Sequence, residues 1–360
     1  MVGASGRRVL LTVSGSMPVD LHEAIAAGRR PRADYLELAQ RFDADLLDHP
    51  GSMAPAGRIG RLLGRLAGAN VVLAVACFRL RRRYDVVVTD GEQVGLPLAG
   101  LLLVARRKRP RHVMIVHVMS VRAKMALHRA LRLGRRIDLM VVYATRQREL
   151  VGSLLGRPPE ATVLSTFMVD TDFFRPAAVE AHPSRMICAA GLELRDYRTL
   201  IDAVRGLDVK VVIAAGSPWS TRRDTVGDEE MPTNVEVCRL DFVALRQLYA
   251  DACFVVVPLQ DVDFQAGITT ILEGMAMGKA VICSRTRGQT DTIVDECSGV
   301  YVPPGDVMAL RAAIERLLDR PELAAGLGAA GRRWVVEHAD VRVYAERLGR
   351  HVDQLRETTA

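Results

Sequence analysis

Short runs of β-branched and aliphatic residues recur along the chain, each separated from the next by a stretch with helical spacing. In the first half they are RVLLTVS, DADLLD, YDVVVT, HVMIVH, DLMVVYA and ATVLST. In the second half they are SRMICAAG, DVKVVIAAG, NVEVC, CFVVVPL, AVICS and GVYVPP. Continuous apolar runs, without the polar alternation of a half-solvated sheet, predict strands buried on both faces and hence parallel sheets made of strand–helix–strand units. The stretch FFRPAAVEAHPSR (173–185) is polar, holds two prolines, and divides the two series. From residue 307 the pattern is helical to the end. The expected fold class is therefore α/β: two doubly wound parallel-sheet domains facing a central cleft, then long C-terminal helices. The domains are expected at 1–177 and 178–340, with a helix over 341–360 available to pack back on the first. Ligands of such sheets bind beyond the carboxyl ends of strands, at a reversal of strand order. Function is expected in the loops that follow strands.

Composition fits this picture. A chain of 360 residues, 49% hydrophobic, can bury two ordinary cores. The six cysteines form no CxxC pair, and four (Cys77, Cys188, Cys253, Cys283) lie in apolar runs, which reads as buried thiols in a reducing cytosol. The opening MVGASGRRVLLTVSG reads as a first strand with no signal peptide, and the longest uncharged apolar stretch, 94–105, is too short for a bilayer span of roughly twenty residues.

Charge changes the picture more. Residues 1–150 hold 26 Lys+Arg against 12 Asp+Glu, a net of +14; residues 151–360 hold 23 against 30, a net of −7. The clusters RLRRR (79–83) and RRKRPR (106–111) read either as a solvated surface in an arginine-rich chain or as a face for polyanions. Base-reading folds interleave aromatics with basic residues; aromatics here are 5%, so nucleic acid is not expected. An anionic membrane surface fits better, and places the protein in the cytoplasm, peripheral on the cytoplasmic membrane face.

GLGAAG (326–331) matches GxGxxG, but a helix start after Pro321 precedes it where a dinucleotide site needs a strand. The stretch FQAGITTILEGMAMGKAVICS (264–284) carries more. After the strand CFVVVPL and the loop QDVDFQAG, TTILEGMAMG turns helical, with Thr269 or Thr270 as N-cap and Gly278 as stop. Amides at such a helix start suit a phosphate, and Glu273, one turn in, can accept from the two hydroxyls of a ribose. The other reading of the same spacing is a capping box, Thr270-x-x-Glu273.

Glycine, helix, glutamate, MAMGKAVI and GQTDTIVDECSGVYVPPGDVMALRAAI, in this order, resemble the C-terminal domain of the family 4 retaining glycosyltransferases, which have the GT-B fold. The resemblance covers most of 184–335; YDVVVTDGEQVGLPLA, HVMIVHVMS and VDTDFFRP fit the family's layout in the first half. It implies two Rossmann-like domains, the first binding the acceptor and the second the nucleotide sugar, with Glu273 as the ribose carboxylate ending a Glu-x7-Glu motif. Gly267, Ile268, Thr269 and Thr270 then belong to the donor site. There are two departures. Gln265 stands where the family has its first glutamate, able to hydrogen-bond a sugar hydroxyl but uncharged. Leu192 replaces the arginine of a Gly-Arg start, leaving Gly191 for close backbone approach and Arg195 as the nearest cation.

The resemblance sets His117, at the end of HVMIVH, against the donor sugar; by position alone it is a polar strand end. Glu92 and Asp90 follow YDVVVT and either orient an acceptor hydroxyl or cap the helix near Gln93. The Ser14-Gly15-Ser16 turn is the other acceptor-side candidate; Gly216, Ser217, Arg239 and Leu240, after later strands, are expected beside the nucleotide base. The expected catalytic set is His117, Gln265 and Glu92. No metal is expected, since helix amides and an arginine can hold a diphosphate and the one Asp-x-Asp, 261–263, lies in a loop. No cofactor is expected beyond the nucleotide sugar as co-substrate. The function read is retaining, metal-independent transfer of a hexose to a hydroxyl acceptor, with a lipid-linked acceptor in view. An NDP-sugar epimerase and a nucleotide-sugar-binding protein that has lost catalysis are the alternatives.

Overall fold

The computed structural model describes residues 8–105, 109–117, 132–155, 161–215 and 231–357. Each run read as a strand forms one. The first six are β1 (Val9–Thr12), β2 (Ala44–Leu47), β3 (Val86–Asp90), β4 (Arg111–Ile115), β5 (Leu139–Val142) and β6 (Thr162–Leu164). They make one parallel sheet in the order β2-β1-β3-β4-β5-β6. The rest are β7 (Met186–Ala190), β8 (Lys210–Ala214), β9 (Val235–Cys238), β10 (Val255–Val257), β11 (Val281–Ser284) and β12 (Val300–Val302). These form a second parallel sheet, β12-β11-β10-β7-β8-β9.

Period-2 geometry explains why both faces are apolar. On β7, Cys188 and Ala190 join one hydrophobic cluster and Ile187 and Ala189 the other; on β10, Val255 and Val257 oppose Val256 in the same way. Helices supply the covering layers: α1 (Leu21–Ala26), α2 (Asp34–Phe42), α3 (His49–Ala67), α4 (Ala69–Leu80), α5 (Glu92–Leu103), α6 (Thr145–Leu155), α7 (Tyr197–Val204), α8 (Phe242–Asp251), α9 (Ile268–Ala276), α10 (Val307–Asp319), α11 (Pro321–His338) and α12 (Val341–Glu357). The GLGAAG string lies inside α11, where a Cβ on Gly328 would fall 2.1 Å from the Gly278 carbonyl oxygen. Its glycine serves helix packing. No described helix is long and apolar enough to cross a membrane.

The chain divides into two compact units that interleave. One holds the described residues up to Leu21, 33–165 and 345 onward; the other holds 22–32 and 166–344. The exchange falls at Ser165, ahead of the proline-rich stretch, because Phe173 and Phe174 are buried in the second unit's core. In the first unit, the Arg41 guanidinium on α2 pairs with Glu346 and Asp353 on α12, both at 2.9 Å. Gly349 lets the arginine pass, since a Cβ there would lie 2.6 Å from its Cζ. Tyr344, Leu348 and Val352 of the same helix are buried. One thiol differs from expectation: Cys253 is exposed, because it precedes β10 at the amino end of the sheet, its Sγ on the Ser184 carbonyl.

Candidate functional site

In the second sheet, strand order reverses between β7 and β10, and the segments that leave these two strands meet there. After β7 the chain turns through Gly191 (φ 93°) and Leu194 (φ 55°), both left-handed, which folds Arg195 back over the strand ends. Its Nε donates to the Ala190 carbonyl at 2.9 Å, Nη1 to the Glu193 carbonyl at 3.0 Å and Nη2 to the Thr270 hydroxyl at 3.1 Å. Arg195 is 5% exposed, and these three acceptors are all uncharged. Only glycine fits beneath it: a Cβ on Gly191 would lie 2.5 Å from Nη2.

After β10 the loop 260–267 leads into α9. Its N-cap is Gly267 (φ 75°), with no side-chain cap, so neither Thr269 nor Thr270 takes that place. A Cβ on Gly267 would meet Val257 at 2.8 Å and stand 3.5 Å from Arg195 Nη1, which puts the guanidinium beside the helix start. Thr269 is exposed, Ile268 is buried, and Thr270 turns inward, accepting from Arg195 and donating to the Ala190 carbonyl at 3.3 Å. The helix stops as expected, with Gly278 left-handed (φ 70°) just beyond it.

The capping box does not form either. Glu273 instead accepts, at Oε2, a 2.9 Å hydrogen bond from the Tyr249 hydroxyl on α8. Burial raises the Glu273 carboxyl from 4.5 to about 7, against the opposing pull of the Tyr249 hydrogen bond and the Arg195 charge. Tyr249 is pushed well above its ordinary value by burial and by that carboxylate. Gln265 donates from Nε2 to the Thr292 hydroxyl at 3.2 Å, while its Oε1 is buried without a partner. The loop carrying it is braced from after β11: a Cβ on Gly288 would lie 2.2 Å from the Phe264 carbonyl oxygen, and Gln289 donates to the Ala266 carbonyl. Leu192, in the place of an arginine, is buried.

Not every expected residue joins this group. Leu240 is half-buried against the core and Arg239 is exposed, both after β9, the edge strand two places from β7. Gly216 and Ser217 lie outside the described residues. Asp261 and Asp263 face the Arg287 Nε at 3.8 and 3.4 Å. Among the described residues no three His, Cys, Asp or Glu side chains gather as a metal site.

The first sheet has its own reversal, between β1 and β3, and a second cluster forms there. Ser14, after β1, donates its hydroxyl to the Asp90 carbonyl at the end of β3. Gly15 accepts from the His49 amide at 2.9 Å, and Ser16 is exposed. Asp90 Oδ1 lies 2.5 Å from His117 Nε2, and the His117 amide donates to Glu92 at 3.0 Å. Neither carboxylate caps α5, whose N-cap is Gly91 with no side-chain bond. Burial would lower the His117 pKa, but the Asp90 hydrogen bond and the charges of Asp90, Glu92 and Asp34 hold it up at about 9. Asp34, at the start of α2, is raised to about 6 by burial and by Asp90. Sequence reasoning missed Asp34, Tyr249 and Thr292. The aspartate opening DYLELAQRF after a proline-containing stretch was the one available signal.

Residues 185–320 match the family model described as glycosyl transferases group 1. A GDP-mannose-dependent alpha-(1-6)-phosphatidylinositol monomannoside mannosyltransferase of Mycolicibacterium smegmatis is 35% identical over 86 residues, 24% of this chain and 22% of its own length. Sucrose-phosphate synthase from Thermosynechococcus elongatus superposes with TM-score 0.70 at 17% identity, over 98% of this chain and 100% of that one. Anabaena HepE in complex with UDP-glucose gives 0.68 at 13% identity, over 96% and 99%. The chain has the GT-B fold of the glycosyltransferases, and its second compact unit carries the segment that matches the group 1 family.

Proposed function

We infer that the protein is a retaining glycosyltransferase of the family 4 type, moving a hexose from a nucleoside-diphosphate sugar to a hydroxyl acceptor. One observation carries the reading: a buried guanidinium with only neutral acceptors stands beside an uncapped helix start, and the same helix bears a half-buried carboxylate. A cation so placed, together with free helix amides, calls for an anion, and a diphosphate supplies one. Glu273 receives the ribose hydroxyls, which favour its charged form. The unpartnered Gln265 Oε1 accepts from a sugar hydroxyl. Preorganised positive groups then stabilise the charge that grows on the leaving diphosphate as the sugar becomes oxocarbenium-like, with no step assigned to a metal. Asp90, Glu92 and His117 serve the sugar and the acceptor in this reading. The name of the mycobacterial relative, which acts on a phosphatidylinositol mannoside, and the basic balance of residues 1–150 support a lipid-linked acceptor at the cytoplasmic membrane face.

The test is calorimetric titration with UDP and with GDP, for the native protein and Glu273→Ala. Loss of a charged hydrogen bond to ribose costs about 1.5–3 kcal/mol, roughly ten- to a hundredfold in affinity. Equal affinities would end the ribose assignment. Product analysis by NMR then reads the anomeric configuration, and donor consumed without any acceptor would point to an epimerase instead.

A further inference from the structure

The second half of α3 is inside out. Helix α3 is broken at Gly57 (φ 66°, ψ −168°), where the Arg79 guanidinium donates to the freed Ala56 carbonyl at 3.1 Å. Beyond the break, Gly60 and Gly64 face α4. A Cβ on Gly60 would meet Val75 at 3.1 Å, and one on Gly64 would meet Val72 at 2.2 Å. The two helices close through small residues, so the large apolar ones are not needed inside. Ile59, Leu62, Leu63 and Leu66 are spaced i, i+3, i+4, i+7, which gathers them on one stripe. That stripe is turned to solvent, at 69%, 60%, 40% and 83% exposure. A globular helix ordinarily buries such a stripe.

Charge says what covers it. Residues 49–84 contain seven arginines and no aspartate or glutamate. Arg58 and Arg65, both exposed, share a helix face about a third of a turn from the apolar stripe. A helix with an apolar stripe, an arginine face beside it and no acidic residue lies in the interface of an anionic bilayer: the leucines enter the acyl boundary and the guanidinium groups meet headgroup phosphates. A protein partner for the stripe would need only apolar complementarity, and would give no account of 36 residues without a negative charge. We propose that Ile59, Leu62, Leu63 and Leu66, with Arg58 and Arg65, dock the protein on a membrane surface rich in anionic phospholipid. This surface belongs to the first unit and stands independently of the donor-site reading.

Cosedimentation tests it, with vesicles of pure phosphatidylcholine and of phosphatidylcholine mixed with phosphatidylglycerol, at low and high salt. The native protein partitions onto the anionic vesicles, more weakly at high salt. The double variant Leu62→Ser/Leu66→Ser loses on the order of tenfold in partitioning, since two exposed leucines no longer enter the bilayer. Both side chains are already in solvent, so its thermal midpoint and its UDP titration match those of the native protein. That match separates failure of docking from failure of the donor site. Equal binding to both lipid mixtures, or vesicle binding unchanged by the double variant, overturns the proposal. So does a vesicle-free dimer that the same variant dissolves, because a second copy would then cover the stripe.

Discussion

Replacing Glu273 by glutamine should strengthen the ligand-free protein while weakening its hold on nucleotide. The carboxyl rises from 4.5 to about 7 on folding because burial disfavours its charge. A raised carboxyl pKa means that the folded state holds the proton more tightly than the unfolded chain. Below pH 4.5 both states are protonated and the group makes no difference. Between pH 4.5 and about 7 the unfolded chain ionises first, so stability falls; above 7 the deficit is constant. At about 1.36 kcal/mol for each tenfold in proton affinity, the full rise amounts to roughly 3 kcal/mol. Glutamine keeps the shape and can still accept from the Tyr249 hydroxyl, but has no charge to bury. Urea unfolding at a series of pH values should therefore show no difference between Glu273→Gln and the native protein near pH 4.5, and a gain of roughly 3 kcal/mol by pH 8. Affinity for UDP or GDP should fall at least about tenfold over the same upper range. A stability difference that does not vary with pH would refute the titration. A variant less stable at pH 8 would mean that the carboxylate is a stabilising partner of Arg195, and the picture of a strained, ligand-awaiting group would be wrong.

Two further outcomes follow from the same geometry. Gly191→Ala forces a Cβ to within 2.5 Å of the Arg195 guanidinium at a φ of 93°; the expected loss is about 1–3 kcal/mol of stability, read by thermal unfolding, with weakened nucleotide binding by calorimetry. Asp90→Asn removes the hydrogen bond that holds His117 at about 9. A histidine pKa raised on folding contributes stability that is complete below about 6.5 and lost as pH climbs through 9. The gap in melting temperature between native and variant should thus be largest near pH 6 and close towards pH 9.5; a gap independent of pH would count against the ion pair.

Much of the scaffold was legible because most of its strands are short, uninterrupted apolar runs, although the helices ANVVLAVACFRL and EQVGLPLAGLLL are as apolar and differ chiefly in length. The position of Glu273 was legible too, through its distance from a glycine and a helix stop. What surrounds it was not. Threonines are favoured N-caps, yet Gly267 holds the position because its left-handed φ turns the loop into the helix over Val257, and the threonine hydroxyl serves Arg195 instead. Tyr249 reaches Glu273 from another helix, 24 residues earlier in the chain, which no local spacing encodes. Arg195 is swung into place by a left-handed leucine, a conformation that leucine gives no reason to expect. Cys253 was misjudged because its run is apolar, while exposure depends on which end of the strand a residue occupies.

The last helix gives synthesis a direction. Arg41 leaves the ribosome early, but its partners Glu346 and Asp353 emerge some three hundred residues later. During translation the first unit waits with a charged gap and an uncovered flank where Leu348 and Val352 will sit, while residues 166–344 can close around their own core. A premature stop between residues 166 and 345 would therefore injure the first unit, although every missing residue lies towards the other end of the chain.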